Sequence, residues 1–247
     1  MGATEMFNIL DSIDSTNNYA MAMIHEGLAN HGMAWFAHDQ TAGRGQQGKI
    51  WETETGQNIA LSIVIQPPKL FFQRQFYFNA AITNTCYTFF RDLAGQDISI
   101  KWSNDIYWRD RKAGGILVEN KLMGNDWKWA VVGIGLNINQ STFSDVLANA
   151  VSLKQITGRS YDPLILAKKL HKQVVAMINA VTISDLSGIL KHYNEHLFLK
   201  DKIARLKKGN IVFETCIKGV NEYGQLLTED VIERQFNFGE VVWQVHS

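Results

Sequence analysis

The chain has 247 residues, of which 46% are hydrophobic, and its 24 basic and 24 acidic side chains leave no formal net charge. This length allows one large domain plus a small one, and the apolar content is enough for a real core. Zero net charge argues against a general affinity for nucleic acid or an anionic membrane surface. The sequence shows neither a secretory leader nor an apolar run long enough to span a bilayer, and its two cysteines lie far apart. We therefore expect a cytoplasmic protein with free thiols.

The N-terminal part of the chain predicts a strand followed by a helix. Residues 7–10 form a short apolar run, and Ser15, Thr16 and Asn17 then supply side chains of the kind that cap a helix N-terminus. Apolar residues recur at helical spacing after them, up to a suitable stop at Gly27. Capping and contact with a ligand explain these three polar residues about equally well.

A glycine-rich segment follows the next predicted strand. Residues 38–51 read His-Asp-Gln-Thr-Ala-Gly-Arg-Gly-Gln-Gln-Gly-Lys-Ile-Trp, so that Gly43, Gly45 and Gly48 surround Arg44. Glycines accept positive φ and expose N–H groups to an anion, and the arginine adds positive charge. The spacing also matches the dinucleotide-binding fingerprint, but no amphipathic helix follows it. It resembles the glycine loop of protein kinases as well, but the His-Arg-Asp and Asp-Phe-Gly strings of those enzymes do not occur. The segment predicts a phosphate-handling loop, with a polar surface hairpin as the structural alternative.

Three later strings combine glycine or lysine with amide or acid side chains at the ends of apolar runs. They are Lys101-Trp102-Ser103-Asn104-Asp105-Ile106, Lys112-Ala113-Gly114-Gly115-Ile116-Leu117-Val118-Glu119 and Gly133-Ile134-Gly135-Leu136-Asn137-Ile138-Asn139. Strand ends of this kind deliver side chains to a binding site. Each string also has an ordinary explanation, namely a turn bonded to its own backbone, a solvated lysine and a buried strand with glycines for packing.

The rest of the chain mixes strands and helices and then changes texture. Residues 59–66 predict a buried strand, and residues 72–93 predict an aromatic-rich helix whose apolar stripe faces the core. Asp162-Pro163 predicts the start of another helix. Short alternating segments near the C-terminus predict a small all-β unit. We therefore expect a larger catalytic domain over residues 1–198 and a small β domain over residues 199–247.

Together and in this order, the four motifs resemble those of the biotin protein ligases, also called biotin-[acetyl-CoA-carboxylase] ligases. The resemblance runs from about Phe7 to the C-terminus. It implies an α/β (α+β) fold, in which a mixed β-sheet catalytic domain has helices packed on one side and is followed by a small C-terminal SH3-like β-barrel. It also implies that ATP and Mg2+ activate biotin as biotinyl-5'-AMP, and that biotin is then transferred to a lysine of a biotin carrier protein domain.

The resemblance further implies roles for individual residues. The biotin site would comprise Ser15, Thr16, Asn17, Gln40, Gly43, Arg44, Gly45, Gln46, Lys112 and Gly115. The ATP and adenylate site would comprise Arg44, Gly48, Trp51, Lys101, Asn104, Asp105, Gly135 and Asn137. Asp105 is also the candidate magnesium ligand. Lys112 and Arg44 are the candidate catalytic residues, because a cation between two reacting anions neutralises the charge that develops there.

Two positions depart from the family pattern. Many relatives have a second arginine where Gln46 stands, and the family usually has proline where Ser103 stands. Losing that arginine removes a charge-assisted contact worth about 1.5–3 kcal/mol where it is made. These departures motivate a non-catalytic biotin binder as one alternative. A lipoate or octanoate ligase, which resembles this family in fold and in its reacting lysine, is another.

Partners other than a carrier domain are not expected. No DNA-reading helix-turn-helix precedes Phe7, and the net charge is zero, so a DNA-binding regulator is disfavoured. No membrane partner is expected either, and the chain is compatible with a monomer or a homodimer.

Overall fold

A computed structural model describes residues 6–124 and 126–244 of the protein. Its larger sheet has seven strands. They are β1 (Phe7–Ile13), β2 (Ala34–Gln40), β3 (Ile59–Ile65), β4 (Ile98–Lys101), β5 (Asp105–Trp108), β6 (Arg111–Met123) and β7 (Asp126–Leu136). Their order across the sheet is β1-β2-β3-β7-β6-β5-β4. Strands β1 and β2 are parallel and the other neighbours are antiparallel, so the predicted mixed sheet is confirmed.

Helices cover both faces of this sheet. They are α1 (Thr16–His25), α2 (Gln75–Ala94), α3 (Leu153–Thr157), α4 (Pro163–Ala180) and α5 (Leu186–Glu195). The longer helices α2 and α4 pack on the face that contributes Phe36 and Val132 to the main core. Helix α1 lies on the other face, where Ala20 packs against Trp35 and Val131. The expectation of helices on one side therefore holds for the long helices only. Strand β3 is buried along its whole length, so both of its faces need apolar cover.

The local sequence explains where several helices begin and end. Asp162 caps α4 by accepting hydrogen bonds from the backbone N–H groups of Leu164 and Ile165, at 2.9 and 3.0 Å. Helix α3 ends at Gly158, whose φ of 73° is left-handed and costs glycine little. The aromatic stripe predicted for α2 is buried, as expected for core. The predicted cap of α4 and the predicted packing of α2 are thus realised in the fold.

A second, antiparallel sheet follows the helices. Its strands are β8 (Ile203–Lys208), β9 (Ile211–Val220), β10 (Leu226–Glu229), β11 (Glu233–Phe236) and β12 (Val242–Trp243). Their order is β11-β10-β9-β8-β12, in five strands. The predicted fold class, a mixed sheet with helices plus a small C-terminal β unit, is confirmed. The division of the chain into domains at residues 198 and 199 stays a prediction.

The two sheets meet at the motif that begins with Lys101. The indole N–H of Trp102 donates to the carbonyl of Gly224 at 2.9 Å. Asn194, on α5, exchanges hydrogen bonds of 2.7 and 2.9 Å with the backbone of Val220 on β9. The small sheet is therefore held against the motifs by specific polar contacts.

The cysteines and the longest apolar helices bear on two expectations from the sequence. Cys86 and Cys216 are both free, and the first is buried. Among the described helices, none alone is long and apolar enough to cross a membrane. Only α4 taken together with residues 183–195 reaches that length and composition, and this pair is bent by 109°.

Candidate active site

The four motifs converge on a cavity of about 410 Å³. Residues from the N-terminus of α1, the end of β2, the glycine-rich loop and the strands β4 to β7 form its wall. The predicted site residues that line it are Ser15, Thr16, Asn17, Gln40, Arg44, Gly45, Gln46, Trp51, Lys101, Asn104, Asp105, Lys112, Gly115, Gly135 and Asn137. The fold thus brings together residues that are far apart in the sequence.

Two predicted site residues, Gly43 and Gly48, shape the loop and are not part of the cavity lining. A Cβ on Gly43 would lie 2.9 Å from the amide nitrogen of Gln40, which is too close for an atom of this kind. The N–H of Trp51 also donates to the carbonyl of Gly43, at 2.9 Å. Gly48 has a left-handed φ of 74° at the end of the short helical turn Gln46–Gly48. Their contact with a ligand stays a prediction.

A hydrogen-bonded network surrounds the N-terminus of α1. The backbone N–H and the hydroxyl of Thr16 both donate to Oε1 of Gln40, at 2.8 and 3.0 Å. The hydroxyl of Ser62, on β3, lies within hydrogen-bonding distance of Thr16 Oγ1 and Asn17 Oδ1. Ser15 occupies the N-cap position but makes no capping bond with its side chain. Capping alone therefore does not explain these buried polar groups, which offer donors and acceptors to a small polar ring.

Glu119, on β6, links this network to the glycine-rich loop. Its carboxylate accepts a hydrogen bond from Asn17 Nδ2 at 2.8 Å and forms an ion pair with Arg44 Nη2 at 2.9 Å. Arg44 Nη1 donates to Asn18 Oδ1 at 2.8 Å. Gly133 leaves room for this arrangement, since a Cβ there would lie 2.9 Å from Cγ of Asn17. These contacts fix the guanidinium at the wall of the cavity.

Lys112 and Asp105 form an ion pair in the cavity wall. Lys112 Nζ lies 2.8 Å from Asp105 Oδ1, and the two side chains are 35% and 34% exposed. A Cβ on Gly115 would lie 3.3 Å from Nζ and 3.2 Å from Oδ1, so glycine gives the pair its space. The pair is partly solvated, and an arriving anion can therefore reach the ammonium.

The two predicted asparagines hold the backbone of the site. Asn104 Nδ2 donates to the carbonyl of Ile116, while the N–H of Ile116 donates to the Asn104 carbonyl at 3.0 Å. Asn137 Nδ2 donates to the carbonyls of Lys112 and Val151, at 3.4 and 3.3 Å. Both amide groups therefore stabilise the segments that carry the ion pair. Their predicted contact with the nucleotide stays a prediction.

The indole of Trp51 lies against the backbone of β7. A Cβ on Gly135 would lie 2.6 Å from Cζ2 of the indole, so only glycine permits this approach. The Trp51 Nε1 group is buried and has no hydrogen-bond partner among the described residues. Lys112 Nζ lies 5.8 Å from the ring centre. The indole thus presents an aromatic surface beside the ion pair, and its predicted contact with the adenylate stays a prediction.

Lys101 places a buried cation in the same wall. Its side chain is only 8% exposed, and Nζ donates to the Tyr107 hydroxyl at 3.1 Å. The rings of Tyr107 and Trp243 lie 4.5 and 5.5 Å from Nζ. Desolvation lowers the pKa of Lys101 to about 8, and the nearby Asp105 carboxylate partly opposes this shift. The ammonium remains mostly protonated at neutral pH and forms no ion pair within residues 6–124 and 126–244, so an anionic ligand suits it.

The cavity also has walls that sequence reasoning did not predict. Phe238 and Val241, in the connection between β11 and β12, line it together with Trp243 on β12. A side chain on Gly239 would collide with the amide of Gln47, so this connection touches the glycine-rich loop. Nothing in the alternating pattern of the C-terminal segments marks these residues as part of a site.

The chain is similar to known proteins over most of its length. Residues 9–137 match the model of the biotin/lipoate A/B protein ligase family. The bifunctional ligase/repressor BirA of Salmonella typhimurium is 29% identical over 238 residues, which cover 94% of this chain and 72% of that protein. The biotin-[acetyl-CoA-carboxylase] ligase of Paracoccus denitrificans is 30% identical over 171 residues, covering 63% of this chain and 65% of that protein.

Solved structures share the fold. The biotin protein ligase from Aquifex aeolicus in complex with biotin and ATP matches with a TM-score of 0.80 at 22% identity, covering 98% of this chain and 99% of that chain. A biotin protein ligase from Leishmania major in complex with biotin matches with a TM-score of 0.64 at 19% identity, covering 95% of this chain and 99% of that chain. The family model covers about half of the chain and contains every predicted site residue, and this chain therefore belongs to the biotin/lipoate A/B protein ligase family.

Proposed function

We propose that this protein is a biotin protein ligase, which activates biotin with ATP as biotinyl-5'-AMP and transfers it to a lysine of a biotin carrier protein domain. One observation carries the proposal. The Lys112–Asp105 ion pair and the hydrogen-bonded network around Thr16 and Gln40 line the same cavity. The Lys112 ammonium and the hydrogen-bonding groups around Thr16 thus line one cavity. Joining biotin to AMP requires both, because the network holds the biotin ring while the cation neutralises charge between the biotin carboxylate and the α-phosphate.

Biotin binds where the cavity offers both donors and acceptors. The ureido ring of biotin carries two N–H donors and one carbonyl acceptor, so it needs both kinds of partner. Ser15, Thr16, Asn17 and Gln40 supply hydroxyl and amide groups from buried or partly buried positions. A ligand that enters must replace hydrogen bonds that these groups make within the protein, so such a wall selects a ligand that carries both donors and acceptors.

In the first step a biotin carboxylate oxygen attacks the α-phosphorus of ATP. The bond from that phosphorus to the bridging oxygen of the β-phosphate breaks, and pyrophosphate leaves. Two anions must approach each other, so positive charge between them lowers the barrier. Lys112 supplies this charge from the cavity wall, Arg44 and the N–H groups of the loop add to it, and Lys101 offers a further cation to the phosphates.

Magnesium with ATP fits the residues present. Among the described residues no group of three or more His, Cys, Asp or Glu side chains forms a metal cage. Mg2+ commonly binds through one or two carboxylates together with substrate phosphates, and Asp105 provides one carboxylate in the cavity wall. Asp105 would hold the ion through the oxygen that does not contact Lys112. Bound there, the ion would neutralise phosphate charge.

In the second step the neutral ε-amine of the acceptor lysine attacks the acyl carbon of the adenylate. The new C–N bond forms, the bond to the phosphate oxygen breaks, AMP leaves and the amine loses a proton. The glycine-rich loop, whose Gln47 lies against Gly239 between β11 and β12, is proposed to close over the bound adenylate and to limit water access to it.

The acceptor is proposed to be the carrier domain of a biotin-dependent carboxylase. We propose no DNA or membrane partner, a cytoplasmic location and a monomer or homodimer. The catalytic domain spans residues 1–198, and the SH3-like domain spans residues 199–247.

Two alternative functions, a lipoate or octanoate ligase and a non-catalytic biotin binder, can be told apart from a biotin ligase. The matching family includes lipoate ligases, but the dithiolane ring of lipoate has no N–H or carbonyl group to pair with the network around Thr16. A non-catalytic binder, motivated by Gln46 and Ser103, would bind biotin without releasing pyrophosphate.

The test measures pyrophosphate release from ATP and Mg2+ with biotin, with lipoate and with neither. We expect release only with biotin, and its near-complete loss in Lys112→Ala. The control variant is Lys191→Ala. The Lys191 side chain is 76% exposed on α5, so this variant should keep the wild-type rate of pyrophosphate release. Pyrophosphate release with lipoate but not with biotin would favour a lipoate or octanoate ligase. Biotin binding without pyrophosphate release would favour a non-catalytic biotin binder.

A further inference from the structure

Glu119 makes its polar contacts with residues of the cavity wall. Its carboxylate accepts from Asn17 Nδ2 at 2.8 Å and pairs with Arg44 Nη2 at 2.9 Å, and both partners line the cavity. The Glu119 side chain is 22% exposed. Glu119 itself is not part of the cavity lining. A carboxylate that contacts the wall from behind suits a residue that orients the wall.

The charge of Glu119 sets the orientation of the Asn17 amide. An ionised carboxylate only accepts hydrogen bonds, so Asn17 must turn its NH2 group toward Glu119 and its oxygen toward Ser62. With the reverse orientation, two oxygen atoms would face each other at hydrogen-bonding distance.

The orientation then passes along the network. The Thr16 hydroxyl proton is donated to Gln40 Oε1, so Thr16 Oγ1 remains an acceptor. Ser62 has a single hydroxyl proton to share between Thr16 Oγ1 and Asn17 Oδ1. An anion at position 119 therefore keeps Asn17 Oδ1 as an acceptor, and the single Ser62 proton lies between two acceptors, Thr16 Oγ1 and Asn17 Oδ1. A neutral amide at position 119 can face Asn17 with either its oxygen or its NH2 group, so it would no longer fix the orientation of the Asn17 amide.

We propose that Glu119 is a positioning residue for ligand recognition, whose carboxylate fixes the amide of Asn17 and thereby the pattern of donors and acceptors that the cavity offers to a ureido ring. The inference rests on the proposed function, since the ureido ring is that of biotin. The ion pair with Arg44 adds an anchor for the loop but is secondary for recognition. Removing the charge should therefore weaken biotin binding through Asn17.

The experiment uses the full chain and measures biotin affinity by calorimetry for the wild type, Glu119→Gln, Asn17→Ala and the double variant. Glu119→Gln keeps the size of the side chain and removes its charge. We expect it to weaken biotin binding about tenfold, as for loss of a hydrogen bond to a charged group. Because Glu119 also pairs with Arg44, the KM for ATP at saturating biotin is measured as well, and it should change less than the biotin affinity.

The double variant separates positioning from a general structural effect. If Glu119 acts through Asn17, the Gln substitution should cost little once the Asn17 amide is gone, and the combined loss should fall about fivefold or more short of the product of the single losses. The matched control is Glu195→Gln, an exposed glutamate on α5 that pairs with Lys191 on the same helix, and it should leave biotin affinity unchanged. Thermal unfolding verifies that each variant folds. Should Glu119→Gln fail to fold, Glu119→Asp keeps the charge but withdraws it from Asn17, and the same loss is expected.

The outcomes are distinguishable. Wild-type affinity in Glu119→Gln, or losses that simply multiply in the double variant, would overturn the role of Glu119 while leaving the ligase proposal intact. Failure of the wild type to bind biotin would overturn both.

Discussion

Gly135→Ala should disturb the aromatic wall of the cavity. An ideal Cβ at this position would lie 2.6 Å from Cζ2 and 2.9 Å from Cδ2 of Trp51, whereas ordinary contacts begin near 3.4 Å. The indole must therefore move by several tenths of an ångström. Its ring is rigid, and Trp51 is tied to the loop because its N–H donates to the carbonyl of Gly43 at 2.9 Å. Overpacking of this kind costs about 1–3 kcal/mol.

Two measurements follow from this cost. In a chain of this size 1 kcal/mol shifts Tm by about 2–4 °C, so Gly135→Ala should lower Tm by about 2–12 °C. Displacement of the indole should raise the KM for ATP about tenfold, which corresponds to about 1.4 kcal/mol. Biotin affinity should change little, because the network around Thr16 does not involve Gly135.

The control is Gly188→Ala. Gly188 lies in α5, and a Cβ there would have no neighbour within 4 Å, so this variant should be neutral or stabilised by about 1 kcal/mol. A second variant combines Gly135→Ala with Trp51→Phe, whose smaller ring should relieve the clash and recover part of the lost Tm. Wild-type Tm and wild-type KM for ATP in Gly135→Ala would mean that the indole does not have to move.

Three further predictions concern charge and capping. Lys112→Met should lower kcat for adenylate formation about 10²–10³-fold with a smaller loss of biotin affinity, because the charge stabilisation that it removes is greatest in the transition state; equal losses of affinity and kcat would contradict this. Desolvation lowers the pKa of Lys101 to about 8, so pyrophosphate affinity should fall as pH rises through that value; Lys101→Arg should lack this fall because arginine stays protonated. The nearby groups Tyr107, Asp105, Lys112 and Lys49 are present in both proteins, so the difference between the two pH profiles reports on Lys101. Asp162→Ala should cost about 0.5–2 kcal/mol in thermal or denaturant unfolding and leave activity unchanged, because it removes only the cap of α4.

Much of the fold can be predicted from local pattern. The apolar run of β3, the aromatic stripe of α2 and the cap of α4 each have one physical explanation, and each appears in the structure as expected. Strand β5 was not predicted, because Asn104 and Asp105 read as turn residues. In the fold, Asp105 begins β5 and lies opposite Lys101 in the antiparallel β4–β5 ladder, which places the two charged residues on neighbouring strands.

Some residues of the candidate site can likewise be predicted from the sequence, whereas others cannot. Glycines and charged residues at strand ends marked its location, because few structural roles need that combination. Glu119 was not predicted as a site residue, since its contact with Asn17 joins positions 102 residues apart and depends on the register of β6. Trp243 was missed for a similar reason, because its position over Lys101 follows only from the docking of the second sheet. Long-range pairing of this kind leaves no periodic pattern in the sequence.

One cavity is proposed to form an acyl-adenylate and then to pass the acyl group to a lysine. The most direct measurement is a single-turnover experiment with ATP labelled at the α-phosphate, biotin and a stoichiometric amount of the protein, followed by addition of a biotin carrier domain. The label should appear first in biotinyl-5'-AMP and then in AMP as the carrier gains biotin. No labelled adenylate, or an adenylate that persists when the carrier is added, would contradict the account.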